Sequence, residues 1–84
     1  MEAVTFQDIA ASLAVTGKDE GLTVSHLADG SPAIHRADGC SLGIIAAGNY
    51  DISFYFKDNY GKLNIRRSKS LDEALSIGLD WIYA

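Results

Sequence analysis

The chain has 84 residues, enough for one small domain and too few for a two-domain enzyme, because domains rarely fold below roughly 50 residues. Hydrophobic residues make up 48% of the chain and charged residues 21%, which is a globular composition and excludes a disordered one. The formal net charge of −4 argues against a general nucleic-acid-binding protein, whose binding surface is usually strongly basic. The single cysteine excludes an internal disulfide and a zinc site built from cysteines.

The sequence shows neither a signal peptide nor a membrane helix. Its first basic residue is Lys18, and its longest apolar stretch, residues 42–48, is short and interrupted by glycine. A membrane helix needs about 20 apolar residues, and a signal peptide begins with basic ones. One free thiol suits a reducing compartment, so we expect a cytoplasmic protein with no membrane association.

The first predicted element is a helix over residues 5–16. Thr5 is a favourable N-cap, and Asp8 lies at the third helical position, where its carboxylate meets free amide groups. Gly17 is then expected to end the helix in a left-handed conformation. One buried stripe follows the helical spacing i, i+3, i+4 and i+7, namely Phe6, Ile9, Ala10 and Leu13.

Five short strands are predicted next, separated by turn signals. Asp29-Gly30 and Asp38-Gly39 favour hairpins, and the segment 58–61 favours a type I turn closed by a left-handed glycine. The third strand is almost wholly apolar, so both of its faces are expected to be covered. On the last strand, Leu63 and Ile65 are expected to face inward. The strands span residues 22–27, 33–36, 40–47, 50–57 and 62–67.

A second helix is predicted at the end of the chain. Ser70 and Glu73 form a capping-box pattern, and Gly78, which costs about 1 kcal/mol against alanine in a helix, indicates a close approach of this helix to the sheet. The fold class is therefore α+β, one domain over residues 1–84 in the order αβββββα. We expect an antiparallel meander of four to five strands, with both helices on one face and the other face left to solvent or a partner.

Candidate catalytic and metal-binding groups are few. Cys40 lies near His35 across a predicted turn, and two histidines with carboxylates, His26 with Asp29 and His35 with Asp38, would hold a metal only if they converged. Turn formation explains the aspartates better, and Cys40 is interpreted as a small buried residue. We therefore predict no catalytic residue, cofactor, metal or small-molecule substrate, and a protein that is not an enzyme.

Charge is distributed unevenly along the chain. Residues 1–56 carry a net −5, residues 57–69 a net +4 and residues 70–84 a net −3. Because successive turns of a meander lie at alternate ends of the sheet, Asp19, Glu20, Asp38 and Asp58 are expected at one end. They form either an acidic rim for a basic protein partner or simply the hydrogen-bonding aspartates that turns require.

The last predicted hairpin offers an alternative site. Aromatic and basic side chains on a sheet face stack on bases and bind phosphates, which would make this a nucleic-acid-binding module. The side chains expected to project outward together are Tyr55, Lys57, Lys62, Asn64 and Arg66. A small interaction domain with another partner is also open.

A homodimer is open as well. The third strand holds more apolar side chains than one core can receive, and Trp81 and Tyr83 are expected to be partly exposed. An exposed apolar patch there would suit a second copy of the chain or a partner.

In its overall character the chain resembles small phage-encoded inhibitors of bacterial defence, particularly anti-CRISPR proteins. The resemblance lies in size, acidity, a single α+β domain, one cysteine and the lack of a catalytic constellation, and not in a motif. The acidic residues that carry it are Asp19, Glu20, Asp29, Asp38 and Asp51. It implies stoichiometric binding to an effector in the host cytoplasm, where an acidic surface would occupy a channel meant for nucleic acid.

Overall fold

The computed structural model of the protein describes residues 4–47 and 50–84. They form two helices and five strands in the predicted order, and the strands make one antiparallel meander in the order β1-β2-β3-β4-β5. The elements are α1 (Phe6–Asp19), β1 (Thr23–His26), β2 (Pro32–His35), β3 (Ser41–Ala47), β4 (Asp51–Lys57), β5 (Leu63–Ser68) and α2 (Leu71–Ile82). The predicted α+β class and topology are confirmed.

Helix α1 begins where predicted and ends later. The Thr5 hydroxyl accepts a hydrogen bond from the Asp8 amide at 3.2 Å, and the Asp8 carboxylate accepts one from the Thr5 amide at 2.9 Å. The predicted end at Gly17 is wrong, because the left-handed glycine is Gly21, with φ of 83°. A Cβ on Gly17 would lie 3.1 Å from the Ile34 side chain, so this glycine lets α1 approach β2 closely.

Three of the hairpins use the same kind of turn, a three-residue loop. The loops are residues 28–30, 37–39 and 59–61, and each ends in a glycine with φ between 84° and 92°. In the last of them the Asp58 amide donates to the Lys62 carbonyl at 3.0 Å, and the Gly61 amide donates back to the Asp58 carbonyl at 3.1 Å. A type I turn followed by a left-handed glycine has this pattern, and it fixes which residues of the two strands lie opposite each other.

The hydrophobic core lies between the helices and one face of the sheet, which we call the helix face. Helix α1 packs on β1, β2 and β3, while α2 packs against α1 and reaches β5. The fully buried core side chains of the sheet are Ile34, Leu42, Ile44, Ile52 and Phe54. We call the opposite side of the sheet the open face. On β3, Gly43 and Ile45 face this side and are half-buried, so the helices cover only one face of that strand.

The side chains of strand β5 lie on the opposite faces of the sheet from those predicted. Phe54 pairs with Arg66 and Tyr55 pairs with Ile65, and residues directly opposite on neighbouring strands share a face. Leu63 and Ile65 therefore lie on the open face, 52% and 61% exposed, and their predicted inward orientation is wrong. The three-residue loop sets this register, and it overrides the apolar alternation of β5.

The two helices approach each other at Gly78 of α2. A Cβ there would lie 2.9 Å from Leu13 Cγ and still closer to the ends of the same side chain. Helix α2 thus tolerates a glycine because α1 is near, whereas the sequence predicted a close approach to the sheet. Helix α2 begins at the predicted N-cap, with the Ser70 hydroxyl accepting a hydrogen bond from the Glu73 amide at 3.3 Å. The second half of the predicted capping box is replaced, because the Ser70 amide donates to Ser68 Oγ at 3.3 Å.

Candidate binding surfaces

The five acidic residues that carry the resemblance do not form one surface. Asp19 is the last residue of α1 and Glu20 follows it, and Asp38 occupies the β2–β3 turn at the same end of the sheet. Asp29 lies in the β1–β2 turn and Asp51 begins β4, both at the opposite end. The meander separates the two groups because its turns alternate between the ends.

Asp38 and Asp29 have local structural roles. One Asp38 oxygen accepts a hydrogen bond from the Cys40 amide at 2.9 Å, and the other pairs with Arg36 Nη2 at 2.8 Å. The Arg36 hydrogen bond is the main reason that the pKa of Asp38 is lowered to about 2. Asp29 accepts a hydrogen bond from the Ser31 amide at 2.9 Å, which lowers its pKa as well. Hydrogen bonding within the turns therefore largely explains the presence of both carboxylates.

Asp51 and Asp58 also make contacts within the fold. The Asp51 carboxylate lies 3.3 Å from Arg67 Nε on the open face and is largely shielded from solvent. Asp58 Oδ1 accepts hydrogen bonds from the Tyr60 amide at 2.9 Å and the Lys62 amide at 2.8 Å. The predicted acidic rim therefore contains carboxylates that shape the fold, which is the structural alternative that the sequence left open.

The remaining acidity is concentrated on what we call the helix layer, residues 5–20 and 70–84. This layer carries six acidic residues and one basic residue, Lys18, for a net −5, whereas residues 21–69 carry four acidic and six basic residues, for a net +2. All six carboxylates of the helix layer are on exposed residues. They are Asp8, Asp19, Glu20, Asp72, Glu73 and Asp80. Charge is thus segregated between the two layers of the fold.

A tyrosine links the ends of the two helices on one side of the helix layer. The Tyr83 hydroxyl donates a hydrogen bond to Glu20 Oε1 at 3.3 Å, which joins the residue after α2 to the residue after α1. The negative charge of Glu20, with a smaller contribution from Asp19, raises the pKa of Tyr83. Tyr83 is exposed and Trp81 half-buried, so their predicted partial exposure is confirmed.

The alternative nucleic-acid-binding face is divided by the register of β5. Tyr55 and Lys57 lie on the open face, while Arg66 pairs with Phe54 and lies on the helix face. There Arg66 lines a groove with Glu73, whose charge opposes a phosphate ligand. Lys62 lies between the β4–β5 loop and the start of β5. The predicted surface of Tyr55, Lys57, Lys62 and Arg66 is therefore wrong as a single face.

The candidate catalytic and metal-binding groups do not converge. Cys40 is half-buried, and its amide is bound to Asp38. His35 lies on the open face, with its Nε2 2.8 Å from the Ser25 hydroxyl, whereas the register places His26 on the helix face. Within residues 4–47 and 50–84, no three His, Cys, Asp or Glu side chains come close enough together to hold a metal ion.

The open face carries an apolar patch, of which the sequence predicted the surplus apolar side chain of β3 but not the side chains of β5. At its centre is Gly43, where a Cβ would lie 3.5 Å from Tyr55 Cβ and 3.6 Å from Leu27 Cδ1. The patch consists of Leu27, Ile45, Tyr55, Leu63 and Ile65. The signal was present in the β4–β5 turn, whose loop length determines which side chains of β5 share a face with Tyr55.

Comparisons with known proteins add no relative. No protein-family model matches the chain, and neither the curated proteins nor the solved structures contain a match. In the described part of the chain, no helix has the length and apolar character needed to cross a membrane.

Proposed function

We propose that the protein is a non-catalytic binding domain whose helix layer occupies a basic surface of a partner macromolecule. The observation that supports this proposal is the segregation of charge, −5 on the helix layer against +2 on residues 21–69. An ordered set of exposed carboxylates steers a positively charged partner and disfavours wrong ones.

The partner best suited to such a surface is a protein that normally binds nucleic acid. Its basic groove attracts phosphates largely through electrostatics, so a layer of carboxylates competes for the same groove. In this proposal the protein acts in the cytoplasm as a stoichiometric inhibitor that excludes nucleic acid. The resemblance to anti-CRISPR proteins implies the same mode of action, with a defence effector as the partner.

The position of Asp80 supports a role in binding. It lies in the last turn of α2, where a carboxylate meets the negative end of the helix dipole, which costs about 0.3–1 kcal/mol at an exposed position. A carboxylate that lowers helix stability is better explained by a role in binding a partner than by a role in stabilising the fold. Asp80 also lines the groove that contains Glu73 and Arg66, so this groove carries two carboxylates and one base.

The test compares two pairs of substitutions that remove the same charge. Glu73→Gln with Asp80→Asn changes the helix layer, and Asp29→Asn with Asp58→Asn changes two turns while keeping a side-chain oxygen that accepts the turn hydrogen bonds. A partner is captured from the source organism and purified, and its affinity is measured at low and high salt. At about 0.5 kcal/mol per exposed charge, the helix pair is expected to weaken binding roughly fivefold at low salt and the turn pair less than twofold.

Three results would contradict the proposal. Equal affinities for the two double variants would show that the helix layer is not the contact surface. Direct binding of DNA or RNA by the purified protein at low salt would indicate a nucleic-acid-binding module. Turnover of a substrate that is lost on Cys40→Ser or His35→Ala would indicate an enzyme.

A further inference from the structure

Strand β5 is the least protected element of the described chain. Every residue of 63–67 is exposed, although strands of a packed sheet normally bury one face. The cause is that β5 lies at the edge of the sheet, where α2 covers it little because α2 packs mainly against α1. The other edge strand, β1, has only four residues, and α1 packs on it. An open edge strand is a template for pairing with another chain.

The backbone groups that point outward from β5 follow from the turn that precedes it. Because the Asp58 amide donates to the Lys62 carbonyl, the backbone of Lys62 faces β4. Antiparallel strands alternate hydrogen-bonded and non-hydrogen-bonded pairs, so Asn64 and Arg66 also face β4. Leu63, Ile65 and Arg67 therefore direct their N–H and C=O groups toward the free edge.

We propose that β5 pairs antiparallel with β5 of a second copy of this chain, with Ile65 opposite Ile65 of the second copy. In this register, Leu63 lies opposite Arg67 of the second copy, and Asn64 lies opposite Arg66 of the second copy. All three outward-pointing residues of each strand then exchange hydrogen bonds. Like charges directly opposite each other destabilise a sheet, and this register contains no such pair.

The neighbouring registers are disfavoured by like charges on β5 and on Lys62, the residue before it. Displacing the pairing in one direction places Arg66 opposite Arg66 of the second copy. Displacing it in the other direction places Arg66 opposite Lys62 of the second copy. Of these three registers, only the one with Ile65 opposite Ile65 of the second copy has no like charges directly opposite each other. We take this fit between two identical strands as favouring a second copy over an unrelated strand.

Pairing in this register extends the apolar patch across the new edge. Ile65, 61% exposed in the single chain, meets its equivalent beside Tyr55 of each copy. The two-fold axis runs perpendicular to the sheet, so both helix layers lie on the same side of one ten-stranded sheet. The paired edges bury little area, and we expect a dissociation constant of about 10–100 µM.

The first test is sedimentation over a range of protein concentrations. Ile65→Lys places two lysines opposite each other and is expected to raise the dissociation constant more than tenfold. The matched control is Val15→Lys on α1, where the parent side chain is 60% exposed, and its dimerisation should equal that of the parent. A parent protein that stays monomeric at millimolar concentration overturns the proposal, and so does equal weakening by the two variants.

The second test fixes the register with cysteines introduced into a Cys40→Ser background. Asn64 and Arg66 of the second copy form a non-hydrogen-bonded pair with Cα atoms about 4.5 Å apart, a separation that a disulfide accepts. Mixing Asn64→Cys with Arg66→Cys under mild oxidation should therefore give mainly the mixed disulfide. Preferential linkage of either variant to itself would show a different register and would overturn the assignment. Partner binding plays no part in these tests, which stand apart from the proposed function.

Discussion

Arg36 joins the β2–β3 turn to the end of α2. Its Nη1 donates a hydrogen bond to the Trp81 carbonyl at 3.1 Å, and its guanidinium lies 4.7 Å from the centre of the Trp81 ring. The last turn of α2 has no basic residue of its own, so Arg36 supplies the positive charge that a helix C-terminus favours. The Asp38 carboxylate holds the same guanidinium in place.

Replacing Arg36 should therefore loosen the end of α2. We expect Arg36→Ala to lower the free energy of unfolding by about 2 kcal/mol, because it removes a cation–π contact and a hydrogen bond from a charged donor. Arg36→Lys keeps the charge but loses the planar contacts, and should cost about half as much. Trp81 is the single tryptophan, so its fluorescence reports both the unfolding curve and the local change. Equal stability of Arg36→Ala and the parent would show that this contact contributes nothing.

The Arg36–Asp38 pair also predicts a dependence of stability on pH. The folded pKa of Asp38, about 2, lies below the usual value of about 3.9 for an unfolded chain. The stabilisation from this carboxylate is therefore complete above the unfolded value and is lost as the pH falls toward the folded value. Asp38→Asn should lose less stability than the parent between pH 5 and pH 2.5, as measured by urea unfolding. Parallel pH profiles for the two proteins would contradict this.

At the scale of the elements, the sequence predicted the existence and order of the helices and strands better than the faces on which their side chains lie. The capping residues Thr5 and Ser70 predicted both helix starts, because a cap acts on its own local backbone. The orientation of β5 was missed because its apolar alternation conflicts with the register that the β4–β5 loop imposes. The predicted helix end at Gly17 is wrong because this glycine serves packing against Ile34. Local hydrogen bonds can be read from neighbouring residues, whereas close approaches between distant elements cannot.

The crossing of the two helices at Gly78 gives a prediction about packing. Gly78→Ala gains about 1 kcal/mol of helix propensity, but its methyl group would overlap the buried Leu13 side chain, and overpacking costs about 1–3 kcal/mol. We expect the variant to be destabilised by up to about 2 kcal/mol in urea unfolding. Ser76→Ala, on the exposed side of the same helix, is the control and should be neutral or slightly stabilising.

A double variant tests whether Leu13 is the cause. Leu13→Val shortens the side chain that meets the added methyl group, so Gly78→Ala should cost less in the Leu13→Val background than in the parent. The difference is the coupling free energy between the two residues. Additive costs would place the strain of Gly78→Ala elsewhere in the molecule.

At the scale of the whole molecule, the two proposed surfaces carry opposite charge. The helix layer is net −5 and residues 21–69 are net +2, with four of the six bases of that segment close to or within β5. These are Lys62, Arg66, Arg67 and Lys69. The overall charge of −4 conceals this arrangement, and the sequence indicated it only as blocks of charge along the chain. Folding converts those blocks into layers, because the acidic residues outside the turns lie mostly on the two helices.

Opposite charge predicts opposite responses to salt. Two β5 strands that pair bring their basic residues together, so screening of this repulsion should strengthen the dimer as salt rises from about 20 to 500 mM. Binding of the helix layer to a basic partner rests on attraction, so the same increase in salt should weaken it. Sedimentation of the parent protein and partner affinity of the Ile65→Lys variant, measured in the same buffers, separate the two effects. A dimer that dissociates as salt rises would mean that attraction between unlike charges holds it together, which the β5 register does not provide.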